Sequence, residues 1–193
     1  MRIVSGEFRG KSLAAPQGVN TRPTSDRARQ AIFNILEHAP WSEGLRDIRV
    51  IDLFAGSGAL GFEALSRGAR FCLFVETDED ARGAIRENVD AMGLFGRTRV
   101  HRRDATQLGV RPGGDGPAFD LAFLDPPYGK GLGEACLPSL AEGGSLTPHG
   151  HRLPGAGRPR LWRRARPFPE VLTTGVRSSG CPVGCAGSPD RPG

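Results

Sequence analysis

No run of about 18 apolar residues occurs anywhere in the chain, so no segment has the length and apolarity of a membrane-spanning helix. The opening Met1-Arg2-Ile3-Val4-Ser5-Gly6-Glu7 lacks the apolar block of a secretory signal, and no export is expected of it. Cysteine is scarce at four residues, too few and too scattered for a disulfide framework. Cys72 and Cys136 lie in apolar or helical surroundings and read as plain buried thiols. Cys181 and Cys185 stand four apart in a Gly/Pro-rich stretch with no further pair of ligands at zinc-like spacing, so no metal is expected. These features together point to a reducing, cytoplasmic compartment. What is present suffices for one domain with a small extension: 193 residues, 38% of them hydrophobic.

The net charge of +5 is unevenly spread. Residues 148–193 hold eight Arg against two acids, and residues 1–147 hold 18 basic against 19 acidic residues. Inside that near-neutral body the first 30 residues are basic: Arg2, Arg9, Lys11, Arg22, Arg27 and Arg29 against Glu7 and Asp26. A basic arm suits phosphate contacts, and it equally suits an ordinary solvated surface.

Short strand-like pieces around Ile3-Val4 and Ser12-Leu13-Ala14, broken by Gly6 and Gly10, predict a small hairpin within a basic arm over residues 1–23. Ala28, Ala31, Ile32, Ile35, Leu36 and Ala39 recur at helical spacing, so a helix is expected over about 25–39, stopped by Pro40. From residue 48 onward strands and helices alternate. Strands are expected at 48–54, 71–75, 98–102 and 119–124, and helices at 60–67, 79–92 and 132–140, the last shortened by Pro138. Near-continuous apolar strands separated by helices define a Rossmann-like, doubly wound α/β fold with a parallel sheet, occupying about 24–147. Ligands of such sheets sit at the carboxyl ends of the strands.

The pattern stops at Thr147. Residues 148–193 contain eight Pro, eight Gly and eight Arg among 46 residues, no apolar run longer than two, and no periodicity, so no strand is expected there. One reading is a basic RNA-binding tail. The favoured one is a reading frame shifted near Gly144–Thr147. The order breaks where the next strand is due, and 24 Arg against 2 Lys suits GC-rich coding sequence read off frame.

Two motifs carry chemistry. The first is Asp52-Leu53-Phe54-Ala55-Gly56-Ser57-Gly58-Ala59-Leu60-Gly61, a strand running through a glycine-rich turn into a helix, followed 20 residues after Gly56 by Glu76 at the end of the next strand. Glycines let the backbone approach a ligand, and an acid at that place accepts hydrogen bonds from ribose hydroxyls. The pattern fits NAD as well as S-adenosylmethionine (SAM). The second motif, Asp125-Pro126-Pro127-Tyr128, follows the fourth strand. An exocyclic amine conjugated to its ring is a poor nucleophile. Asp125 and the Pro126 carbonyl are two acceptors that localise its lone pair, Pro127 stiffens the turn, and Tyr128 offers a face on which a base stacks. Together with Asp52 this favours SAM over NAD. Asp104, after the third strand, suits either a bond to an adenine amine or a loop cap, evenly weighted.

Asp-Pro-Pro-Tyr with Phe-Ala-Gly-Ser-Gly resembles the amino-group methyltransferases of nucleic acids. More narrowly, Arg2-Ile3-Val4-Ser5-Gly6, Arg9-Gly10-Lys11, Thr21-Arg22-Pro23-Thr24 with Arg27, and Phe33-Asn34-Ile35-Leu36 resemble the bacterial 16S ribosomal RNA guanine-N2 methyltransferases, over about residues 1–147. The resemblance implies SAM as donor and a guanine of 16S rRNA as target, within the small subunit or its assembly intermediate, and a monomeric enzyme. It places Asp52, Phe54, Ala55, Gly56, Ser57 and Gly58 around the cofactor, with Asp52, Gly56 and Gly58 at its methionine end, Glu76 at the ribose and Asp104 at the adenine. Asp125, Pro126, Pro127 and Tyr128 would hold the flipped guanine, and Arg2, Arg9, Lys11, Arg22 and Arg27 would contact RNA. The family continues with a further parallel strand and an antiparallel hairpin, for which this chain shows no pattern. Three alternatives stand beside this one: a DNA or RNA methyltransferase acting on adenine N6 or cytosine N4, an NAD-dependent oxidoreductase, and a catalytically inactive RNA-binding remnant.

Overall fold

The structure is a computed structural model that describes residues 1–16, 26–38, 44–127, 132–147 and 171–173. In chain order it contains α1 (Asp26–His38), β1 (Arg49–Leu53), α2 (Ala59–Ser66), β2 (Phe71–Val75), α3 (Glu79–Met92), β3 (Thr98–His101), β4 (Leu121–Leu124), α4 (Leu132–Glu142) and β5 (Val171–Thr173). The strands form one parallel sheet in the order β3-β2-β1-β4-β5. The chain winds outward from β1 to β3, then crosses back to lay β4 on the other side of β1. That reversal makes the β1/β4 boundary the switch point at which such sheets bind ligands.

Period-two alternation sends side chains to two cores. Val50, Cys72, Phe74, Leu121 and Phe123 face one core, with Phe33 and Leu36 of α1, most of α2, and Ile85, Val89 and Met92 of α3. Ile51, Leu53, Leu73, Val75, Ala122 and Leu124 face the other, with Cys136 and Leu140 of α4. Both faces are covered, which is why these strands are apolar throughout. The Phe33 and Phe123 rings, 5.5 Å apart, seat α1 on the sheet. The helix α3 starts where Asp78 accepts a hydrogen bond from Ala81 N at 2.8 Å, with Glu79 and Asp80 in its first turn, and it ends at Gly93. Both described cysteines are free and buried, and burial pushes both thiols up, Cys136 to about 11.

Residues 1–13 fold back on themselves through Ile3 N to Lys11 O and Leu13 N to Met1 O, both 2.9 Å, with Arg2 bridged antiparallel to Ser12. This hairpin is more than a surface arm, because Ile3 and Leu13 are buried in the first core. Its backbone is fastened to α2. Glu63 accepts from Val4 N and Ser5 N at 2.8 and 3.0 Å, and Ser66 Oγ accepts from Phe8 N at 2.9 Å while donating to Ser5 O at 2.5 Å. Gly6 permits the approach: a Cβ there would fall 1.9 Å from Ser66 O.

Three expectations need correction. Pro138 lies inside α4 and does not shorten it, since the helix runs to Glu142. Burial of Cys136 and Leu140 on one face of α4 outweighs the one backbone bond that proline removes. Phe119 lies outside β4: Asp120 turns aside to accept Arg49 N at 2.8 Å, and Phe119 bridges to Leu146. Finally, a strand does follow Thr147. Val171–Thr173 pairs with β4 in parallel, Phe123 opposite Leu172. The outer edge of β4 offers a row of backbone donors and acceptors, and three residues fill it without a long apolar run. The rest of 148–193, with Cys181 and Cys185 and the choice between a basic tail and a shifted frame, lies outside the described residues. No helix among the described residues is long and apolar enough to cross a membrane.

Candidate active site at the carboxyl edge of the sheet

The parallel registers align the strand ends. Leu53 pairs with Val75 and with Leu124, and Val75 with His101. Phe54, Glu76 and Asp125 therefore leave three adjacent strands at one edge, with Asp104 just beyond the end of β3. The carboxylates of Asp125 and Glu76 both act on buried Asp52. The two motifs, some 70 residues apart in sequence, thus meet at one edge of the sheet.

The turn between β1 and α2 is held in an uncommon shape. Phe54 has φ 59°, a left-handed conformation that costs a non-glycine residue energy and that clusters at functional sites. Gly56 has φ 54°, and a Cβ on it would meet nothing within 4 Å, so its backbone borders open space that a ligand can enter. Gly61 serves the opposite purpose. A Cβ there would lie 2.3 Å from the Phe74 ring and 2.6 Å from Cys72 Sγ, so this glycine lets α2 lie flat on β2. Gly61→Ala is expected to cost about 1–3 kcal/mol from overpacking, more than the helix propensity it gains. Urea unfolding would show a lower midpoint at unchanged slope, and an unshifted midpoint would contradict the close packing.

Asp52 is 1% exposed, and its carboxylate accepts from Gly61 N at 2.9 Å, tying the strand to the first turn of α2. Burial pushes its carboxyl well above the usual carboxylate range. The Gly61 N–H opposes that rise, while Asp125 and Glu76 add to it. The folded chain thus holds this proton more tightly than the unfolded one. The group's contribution to stability is full below its unfolded pKa of about 3.9 and falls as the pH rises through the folded value. Asp52→Asn has no proton to lose, so its stability relative to the parent is expected to improve from pH 4 upward. Denaturation at several pH values checks this, and a pH-independent difference would contradict it.

Glu76 grips the turn from the next strand: its carboxylate accepts from Gly56 N at 2.8 Å and from Asp78 N at 2.9 Å. Asp104 is exposed and caps the short turn Ala105–Gln107, accepting from Thr106 N and Oγ1 at 2.8 and 2.7 Å; these bonds lower its pKa. Beyond β4, Asp125 and Pro126 are half-buried and Pro127 is exposed, and Asp125 N donates to Leu53 O at 3.5 Å. Tyr128 and Arg22 lie outside the described residues. Of the basic residues, Arg9 and Arg27 are exposed. Arg2 lies 3.5 Å from Asp26 with its side chain 71% exposed. Lys11 donates to Ala91 O at 3.2 Å and sits 5.5 Å above the Phe8 ring.

Two groups escaped the sequence reading. Fully buried Arg29 lies 2.8 Å from Asp26 and 3.6 Å from Glu63, and Glu63 in turn pairs with Arg67 at 2.8 Å. The available signal was the Glu63/Arg67 spacing of four on a helix. Asn88 of α3, 2% exposed, reaches both the hairpin and the glycine-rich turn, and nothing local marks it.

A parallel sheet with a nucleoside-type turn at its switch point, and Asp-Pro-Pro on the neighbouring strand, defines a methyltransferase of the Rossmann-like class. The chain belongs to the family described as Conserved hypothetical protein 95, whose model matches residues 1–152. The YlbH protein of Bacillus subtilis (strain 168) is 39% identical over 142 residues, 74% of each chain. Ribosomal RNA small subunit methyltransferase D of Escherichia coli (strain K12) is 36% identical over 147 residues, 76% of this chain and 70% of the relative. Among solved structures, the yhhF protein of Escherichia coli superposes with TM-score 0.62 at 36% identity, covering 77% of this chain and 76% of its own. Methyltransferase relatives imply a SAM-type cofactor, and the open face of Gly56 beside the Glu76 carboxylate fits such a group.

Proposed function

We propose that the chain transfers a methyl group from SAM to the exocyclic N2 amine of one guanine in 16S ribosomal RNA, presented within the small subunit or its assembly intermediate. The observation that carries this reading is the placement of Asp125 directly beside the glycine-rich turn, across the β1/β4 switch point. The name of the Escherichia coli relative supports the rRNA substrate.

SAM, when bound, supplies an electrophilic methyl group. The chain's own residues supply the rest. The turn Phe54-Ala55-Gly56-Ser57-Gly58 borders the cofactor, with Asp52 beneath it, Glu76 toward the ribose and Asp104 toward the adenine. Oε1 of Glu76 accepts from Asp78 N and from Thr77 Oγ1, whereas Oε2 has a second lone pair beyond the Gly56 N–H it holds, so Oε2 braces the turn and accepts from a ribose hydroxyl at once. Asp125 and the Pro126 carbonyl accept hydrogen bonds from the amine, localise its lone pair and aim it at the donor. Pro126 and Pro127 keep that edge stiff, and Tyr128 stacks on the flipped base. Arg2, Arg9, Lys11, Arg22 and Arg27 bind backbone phosphates around the target; Lys11 spends one of its N–H donors on Ala91 O and has others to offer.

The base is tested by nucleoside analysis. Small subunits lacking the modification are methylated with labelled SAM, digested, and separated against standards. Label is expected in N2-methylguanosine. Label in N6-methyladenosine or N4-methylcytidine would overturn the assignment and leave an amino-methyltransferase of different specificity.

A further inference from the structure

Asn88 lies deep in α3, with its amide between two segments distant in sequence. Oδ1 accepts from Ala14 N at 2.8 Å, and Nδ2 donates to Ala14 O at 3.1 Å and to Ser57 O at 3.4 Å. The orientation is determined by its partners, since two carbonyl oxygens require the NH2 and one N–H requires the oxygen. A buried amide is costly unless bonded, and the two bonds to Ala14 already offset much of that cost. The remaining N–H bond goes to the turn that borders the cofactor.

Two further observations frame this contact. Met1, at the start of the hairpin, touches the same residue, its sulfur 3.9 Å from Ser57 Oγ. Glu76, just before α3, holds the preceding Gly56 N at 2.8 Å. Successive residues of the turn are therefore gripped by two side chains, one preceding α3 and one within it. The hairpin that carries Arg2, Arg9 and Lys11 is joined to the turn through the second.

We infer that Asn88 is a positioning residue: it clamps the Ser57 carbonyl so that the Gly56-Ser57 turn is preformed for SAM, and it anchors that turn to the N-terminal hairpin. The inference rests on the proposed cofactor reading of that turn. Removing the clamp leaves the turn to be ordered at the moment of binding, so the loss falls on cofactor affinity and spares the step at Asp125.

The test compares the full-length parent with Asn88→Asp, Asn88→Ala and Ser66→Ala. Asn88→Asp keeps the acceptor for Ala14 N but removes both donated bonds and sets a charge against two carbonyl oxygens. Asn88→Ala removes all three bonds without adding charge, and it carries the test if the aspartate variant fails to fold. Ser66→Ala loosens the hairpin from α2 without touching the turn. SAM and S-adenosylhomocysteine affinities are measured by calorimetry, thermal unfolding is followed in parallel, and kcat and KM are measured on unmodified small subunits. Both Asn88 variants are expected to raise the SAM Kd and KM about tenfold, the equivalent of one lost hydrogen bond, with kcat within about twofold. Ser66→Ala is expected to lower the melting temperature with the SAM Kd unchanged. Folded Asn88 variants that bind SAM as the parent does would overturn the inference, as would Ser66→Ala weakening SAM to the same extent. A folded parent that binds neither ligand would instead overturn the cofactor reading beneath it.

Discussion

Asp125→Ala is expected to lower kcat for methyl transfer by about 10²–10³-fold while the chain stays folded. The side chain is half-buried, at the end of β4, next to the turn after β1. In the proposed mechanism its removal takes away one of two acceptors for the amine, leaving the Pro126 carbonyl to localise the lone pair and fix its direction alone. Asp125→Asn is expected to lose less, because it keeps an acceptor oxygen and gives up only the charge. Single-turnover rates at saturating SAM separate this from a binding defect. A folded Asp125→Ala enzyme within about fivefold of the parent would remove Asp125 from the chemistry.

Glu63→Ala carries the largest expected effect on stability, about 3–5 kcal/mol, a large part of the 5–15 kcal/mol typical of a domain. Glu63 is fully buried and accepts from two backbone N–H groups of the hairpin, lies 2.8 Å from Arg67, and lies 3.6 Å from Arg29. Alanine leaves two buried guanidinium groups short of a countercharge and two part-buried backbone donors unpaired. Arg29 keeps Asp26, and Arg67 keeps Glu37 at 2.8 Å, so the charges are not wholly abandoned. Glu63→Gln, which retains an acceptor oxygen, is expected to cost less than alanine. Chemical unfolding measures both, and a loss below about 1 kcal/mol for alanine would show that the network adds little.

What could be read from the sequence follows the range over which each signal acts. The strand Phe71–Val75 and the helix Glu79–Met92 match expectation to the residue, because an apolar run and a stopping Gly93 are local signals. The meeting of the two motifs could be read because parallel strands bring their carboxyl ends to one edge, so residues 52–61 and 125–127 come together without any contact being known beforehand. Pro138 misled because its cost is local while the packing of Cys136 and Leu140 is not. Val171–Thr173 was missed because its pairing is imposed by the edge of β4 rather than by its own composition. Apart from the Glu63/Arg67 pair four residues apart on α2, the contacts of Glu63 and Asn88 could not be foreseen. Those other partners lie 58, 59, 74 and 31 residues away, and no spacing rule spans such separations. The hairpin was read chiefly for its charge, yet Ile3 and Leu13 make it part of the core.

The most direct test of the central claim is methyl transfer itself, with the full-length chain, labelled SAM, and small ribosomal subunits that lack the modification. Stoichiometric labelling of 16S rRNA is expected, at a rate lowered about 10²–10³-fold in Asp125→Ala. A well-folded chain that neither binds SAM nor labels the subunit would contradict it.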